Sequence, residues 1–148
     1  MKLPILLGAL LLSASPAVAN GYLYLSCKKS DDIVIANSAT SIIIGKRSKD
    51  VSSIFKIDLT KKTLTDARAG YPQSFTVQNR AIIIIYKVDN GQLKSSDIFK
   101  LNLMPPYSIS SKGTAIVKTM NKSLTTRGEG SCEEVDPSVF EKALNQPN

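Results

Sequence analysis

The chain has no histidine and no tryptophan, two cysteines, and only nine phenylalanines and tyrosines among 148 residues. Without histidine, the Ser-His-Asp and Cys-His constellations and most zinc sites are excluded. No glycine-rich phosphate loop of the required form occurs. The longest apolar run, Leu3 to Leu12, has about ten residues and is interrupted by Pro4 and Gly8, too short to span a bilayer. Basic clusters are present, but stacking aromatics do not interleave them, so nucleic acid is not an expected partner. The chain is predicted not to be an enzyme and to need no cofactor.

The N-terminal run has a different use. Lys2, the apolar stretch after it and Ala17-Val18-Ala19 have the order of a secretory signal peptide: charged, apolar, then a small-residue cleavage site. Residues 1–19 are read as that signal and 20–148 as one β domain, exported to the periplasm or secreted. A lipid anchor at Cys27 fits poorly, because Tyr24-Leu25-Ser26 places a bulky ring where a small aliphatic belongs. In an oxidising compartment the two cysteines, Cys27 and Cys132, are expected to form one disulfide joining the first strand to the last.

Among the residues that are present, Ile82-Ile83-Ile84-Ile85 stands out. Consecutive residues of a strand point to opposite faces, so the run predicts a central strand covered on both sides. Asn90-Gly91 just after it predicts a two-residue type I′ hairpin. Short strands are expected at Tyr22–Cys27, Ile33–Ile35, Ser41–Gly45 and Thr63–Thr65, and alternating ones at Phe55–Leu59 and Asp97–Leu103. Residues 67–74, with Gly70 and Pro72, read as a loop leading to Phe75-Thr76-Val77. Further strands are expected at Thr114–Met120, Ser123–Thr126 and Ser131–Val135, with Gly128-Glu129-Gly130 breaking the ladder. Asp136 as N-cap and Pro137 at the first helical position predict a short C-terminal helix with Val139, Phe140, Ala143 and Leu144 on its apolar face. The fold class is all-β: an antiparallel up-and-down meander curled into a small barrel or a two-layer sandwich, the barrel being preferred.

Phe55-Lys56-Ile57-Asp58, the mid-chain isoleucine strand, Phe99-Lys100-Leu101-Asn102 and Gly130-Ser131-Cys132-Glu133 together resemble small exported bacterial β-proteins with no assigned function. That resemblance implies a small periplasmic or secreted β domain and brings no catalytic residue.

Three local patterns invite chemistry. Ser26 and Lys29 have the Ser-x-x-Lys spacing of penicillin-interacting enzymes, but on a strand they point to opposite faces. Asp31-Asp32 and Glu133-Glu134 are the material for a carboxylate-pair hydrolase, although adjacent acids in turns are usually solvated. Asn121-Lys122-Ser123 is an N-glycosylation sequon. Charge is the broader signal. From Asn20 to Arg127 seventeen Lys or Arg stand against seven Asp, a net of +10, whereas Gly128 to Asn148 carries one Lys against five acids, a net of −4. The clusters Lys28-Lys29, Lys46-Arg47-Lys49 and Lys61-Lys62 are candidate sites for an anionic glycan, a membrane surface or an acidic protein, or serve solubility alone. The leading expectation is a non-enzymatic exported β-barrel binding module for such a component, a protein or a small apolar ligand. The alternatives are a structural or accessory envelope protein without a dedicated site, and the carboxylate-dependent hydrolase.

Overall fold

The computed structural model describes residues 21–146; the expected signal peptide, 1–19, lies outside the described residues. The strands are β1 (Tyr22–Asn37), β2 (Ile43–Asp58), β3 (Thr63–Asp66), β4 (Pro72–Ser74), β5 (Thr76–Gln78), β6 (Ala81–Asp89), β7 (Leu93–Asn102), β8 (Ser108–Val117) and β9 (Lys122–Glu134), followed by helix α1 (Pro137–Leu144). All pairings are antiparallel in one sheet of order β4-β3-β2-β1-β9-β8-β7-β6-β5. Consecutive strands therefore pair throughout except β4 with β5, and the last strand returns to the first. The edge strands β4 and β5 run in the same direction and are joined by Phe75 alone, so the sheet curls into a nearly closed barrel. The terminal strands are short: β3 pairs only with Phe55–Asp58 of β2 and β5 only with Ala81–Ile83 of β6, so the rest of β2 and β6 has a strand partner on one side alone.

The disulfide is present as expected. Cys27 and Cys132 face each other directly across β1 and β9, with Cα atoms 4.0 Å apart. Around it, one end of the barrel is packed with Leu23, Leu25, Phe55, Ile57, Leu64, Phe75, Ile82, Ile84, Leu101, Tyr107 and Ile109. Inner-face residues at matching register from six strands meet there, because alternation sends every second side chain inward. The Tyr107 hydroxyl donates to Glu134 Oε1; burial first, then the hydrogen bond and charge of Glu134, push its pKa up to about 12.

Several expected boundaries change. The short strands at Tyr22–Cys27 and Ile33–Ile35 are one strand, β1, and Ser41–Gly45 and Phe55–Leu59 belong largely to β2, because polar side chains between the apolar runs do not interrupt backbone pairing. Leu59 lies past the end of β2 and is exposed. The loop at 67–74 contains β4, and β8 ends at Val117 before a 3-10 turn at Lys118–Met120. The isoleucine strand is covered on one side only: Ile82 and Ile84 are buried, but Ile85 is 56% exposed, since the outer face of a barrel meets water. The strand is also next to an edge rather than central. The chain does reverse after Asp89, yet only Gly91 takes a positive φ, +83°, so the turn is not type I′. Asn90 instead accepts through Oδ1 from the N–H groups of Gln92 and Leu93. Helix α1 begins as predicted, Asp136 accepting from Ser138 N–H at 2.9 Å. It lies on the outer face of the sheet, with Phe140 edge-on to Tyr24 at 5.9 Å.

Two outcomes follow from this packing. Ile82→Asp is expected to cost at least about 3 kcal/mol in urea unfolding, because the carboxylate would be buried without a partner. Ile85→Asp is expected to stay within about 0.5 kcal/mol; equal effects would contradict the one-sided cover. Tyr107 binds its proton more tightly folded than unfolded, so its contribution is full below pH 10 and is lost as pH rises toward 12. The stability gap between wild type and Tyr107→Phe should narrow across that window, and a gap that is flat or widens would contradict the assignment.

Candidate functional site

Above the apolar floor the inward rows become polar. Lys29 and Asp31 continue the inner row of β1 after Cys27, and Ser111 follows Ile109 on β8. Lys29 Nζ donates to Asp31 Oδ1 at 2.7 Å and to Ser111 Oγ at 2.7 Å, and Ser111 Oγ donates to Asp31 Oδ1 at 3.3 Å. Two glycines make room for this layer. Gly128 on β9 is opposite Asp31, and a methyl group there would collide with the Asp31 carboxylate and sit 2.8 Å from Ser111 Oγ. Gly113 on β8 gives the same space to Asp97 of β7. At Gly130, opposite Lys29, an added Cβ would strike the β1 backbone itself. The Gly-Glu-Gly stretch thus sits inside β9 and does not break the ladder, contrary to the sequence reading. Its glycines are spaces filled from the neighbouring strands.

The seam between β4 and β6 is bridged by a side-chain contact: Tyr86 donates its hydroxyl to Gln73 Oε1. Burial is the main cause of a raised Tyr86 pKa, with Tyr71 and Asp66 adding to it and the Gln73 hydrogen bond opposing it. The phenol is therefore a neutral donor at physiological pH. Between the floor and this seam lies an interior cavity of about 290 Å³. Its lower wall is Phe55, Phe99, Ile84 and Ile109, the two rings meeting edge to face at 5.7 Å and 70°. Its upper wall carries Lys29, Tyr86, Gln73 and Asp66. A wider depression of about 580 Å³ lies near the β6–β7 turn among Lys87, Asp89, Lys94 and Ile116. Those side chains are exposed and no buried polar group converges on them, so the interior cavity is the better candidate.

The sequence-selected basic residues do not converge. Lys29 faces the cavity, while Lys28 is on the outer face. In β2, Lys46 points outward and Arg47 and Lys49 lie on the inner side of the sheet where it extends past the barrel. Lys61 and Lys62 occupy the β2–β3 turn at the opposite end, about 40 Å from Lys46 at strand rise. Asp31 points inward and Asp32 outward, where Asp32 accepts from Ser48. Six residues of β9 separate the position opposite Asp31 from Glu134, roughly 20 Å, against about 5–9.5 Å for a glycosidase pair. Ser26 and Lys29 occupy opposite faces, and Asn121 is an exposed left-handed turn residue. Among the described residues no cluster of three or more His, Cys, Asp or Glu can hold a metal, and no helix is long and apolar enough to cross a membrane. Sequence reasoning missed Tyr86, Gln73 and Asp97. The available signal was Asp97 lying opposite a glycine, which is visible only once register is known.

No family model matches the chain, and neither the curated proteins nor the solved structures contain a match to it.

The glycine spaces give a direct test of the polar layer. Gly128→Ala is expected to cost about 1–3 kcal/mol by urea denaturation, since the new methyl forces Asp31 off Lys29. Adding Asp31→Ala should recover much of that loss, because the collision partner is removed. Simple additivity of the two substitutions would show that Gly128 is required for another reason.

Proposed function

We propose that the protein is an exported, non-enzymatic binding module whose barrel interior takes one small, mostly apolar ligand with a hydrogen-bond-accepting head group. The observation that carries this reading is the interior cavity, with aromatic and aliphatic side chains below and Lys29, Tyr86 and Gln73 above. Its volume is about twice that of a 150 Å³ hydrocarbon cavity that holds one benzene, which suits a ligand of one or two rings or a short chain. With β4 and β5 counted as one interrupted strand the barrel has eight, the size at which an interior holds either side chains or one small ligand. Both occur here, at different heights. Lys29 uses two of its N–H donors on Asp31 and Ser111 and leaves one for a ligand acceptor. Asp31 compensates its charge, so the cavity attracts a polar head group without demanding a free anion. Export is supported by the order of the N-terminal sequence and by the disulfide.

The experiment is a titration with 6-propionyl-2-(dimethylamino)naphthalene, a neutral two-ring body with one carbonyl acceptor, read by fluorescence. Saturable one-site binding is expected for the wild type. Val51→Phe, which fills the cavity from β2, is expected to weaken binding at least about tenfold without lowering the unfolding midpoint. Equal binding by both proteins would place the dye elsewhere and remove the support for an interior site, leaving the accessory envelope protein as the better reading.

A further inference from the structure

Beyond the barrel the sheet continues as an open extension, because β3, β4 and β5 are too short to reach it. The β1–β2 and β8–β9 turns sit side by side at its tip, tied by Ser38 N–H donating to the Asn121 carbonyl at 2.9 Å. Ile42, Ile43 and Ile44 are 63%, 52% and 55% exposed there, and Met120 in the adjoining turn is 57% exposed. These side chains cannot be withdrawn cheaply. Asn37 fixes the turn through Oδ1, accepting from Ala39 and Thr40 N–H, and its own N–H donates to the Ile42 carbonyl at 2.9 Å. Behind the apolar tip are Lys46 and Arg47 on β2, and Lys118 and Lys122 flank Met120. Lys46 and Arg47 follow Ile43 by three and four residues, about 10–13 Å at strand rise. That is the offset between side chains held in the acyl boundary and cations held at phosphate level.

We propose that this tip is a membrane-docking element: Ile42, Ile43, Ile44 and Met120 enter the interfacial region of an anionic bilayer while Lys46, Arg47, Lys118 and Lys122 meet lipid phosphates. Charge selects this occupant over a second copy of the chain, because tip-to-tip pairing would bring four cations against four. Lys46 and Arg47 stand behind the apolar side chains, while Lys118 and Lys122 flank Met120 at the tip's own level, where long aliphatic stems let the charges reach back to the phosphates as the apolar side chains enter. The inference is independent of the interior cavity and uses none of its residues.

The absence of native tryptophan makes the test local. Ile43→Trp places a single reporter at the tip, and Met120→Trp places one in the adjoining turn in case the first variant folds poorly. Each is mixed with vesicles of phosphatidylglycerol and phosphatidylcholine, with pure phosphatidylcholine vesicles, or with buffer alone. A blue shift with the anionic vesicles, quenched by bromine on the upper acyl chain, is expected. Lys46→Glu/Arg47→Glu in the same background should weaken the response at least about tenfold. An unshifted reporter while the protein still sediments with anionic vesicles would overturn the proposal, as would a blue shift in buffer alone, which would mean that protein covers the tip. Equal shifts with neutral and anionic vesicles would overturn the role of the cations.

Discussion

The pairing of β1 with β9 is the constraint on which the rest of the molecule depends. Thirteen consecutive residue pairs, Leu25 with Glu134 through Asn37 with Lys122, join the first strand to the last, and without them the meander would be an open sheet with two long edges. The disulfide lies within this ladder and closes a loop of 105 residues, for which chain-entropy reasoning assigns about 4–5 kcal/mol against the unfolded state. Closure brings Leu23 and Leu25 of β1 into the same floor as Ile82 of β6 and Leu101 of β7. It also places Lys29 and Asp31 against Ser111, which is two strands away in the sheet order.

The cavity follows from where large side chains stop. On β1, β2 and β8 the inward row begins apolar and bulky at the closed end, then passes to Lys29, Ser53 and Ser111, while β9 offers Gly130 and Gly128 at that height. A barrel of this girth can be filled completely, as its lower part is. The upper layer is built from two carboxylates, each laid over a glycine, and a lysine held by one of them, so the interior there is polar and incompletely occupied. Tyr86 and Gln73 close the seam that backbone pairing leaves open between β4 and β6. Both sit on the cavity wall, so the weakest part of the ring and the candidate site coincide.

Much of the architecture was legible from pattern alone: the all-β class, the meander order, the disulfide between the first and last strands, and the helix signalled by Asp136 and Pro137. These rest on local alternation, turn residues and the position of two cysteines. Errors arose where long-range register decides the outcome. Ile83 and Ile85 read as buried because four isoleucines in a row fill both faces, but a barrel wall has only one dry face. Gly128 and Gly130 read as breakers because their role is steric and belongs to residues about a hundred positions earlier in the chain. The basic clusters were visible as charge, yet only Lys29 reached the cavity, and the exposed isoleucines beside Lys46 and Arg47 gained meaning only from their place at the tip.

Amide hydrogen exchange by NMR, before and after selective reduction of Cys27–Cys132, tests the central constraint most directly. Floor-level amides of β1 and β9 are expected to be among the slowest in the oxidised protein, slower than those of Ile43 to Lys49 at the open extension. Reduction should then accelerate β1 and β9 together with the cavity residues of β8. If β1 and β9 exchange as fast as the extension in the oxidised protein, the end-to-end ladder is not what holds the barrel closed; full protection after reduction would show that the ladder stands without its disulfide.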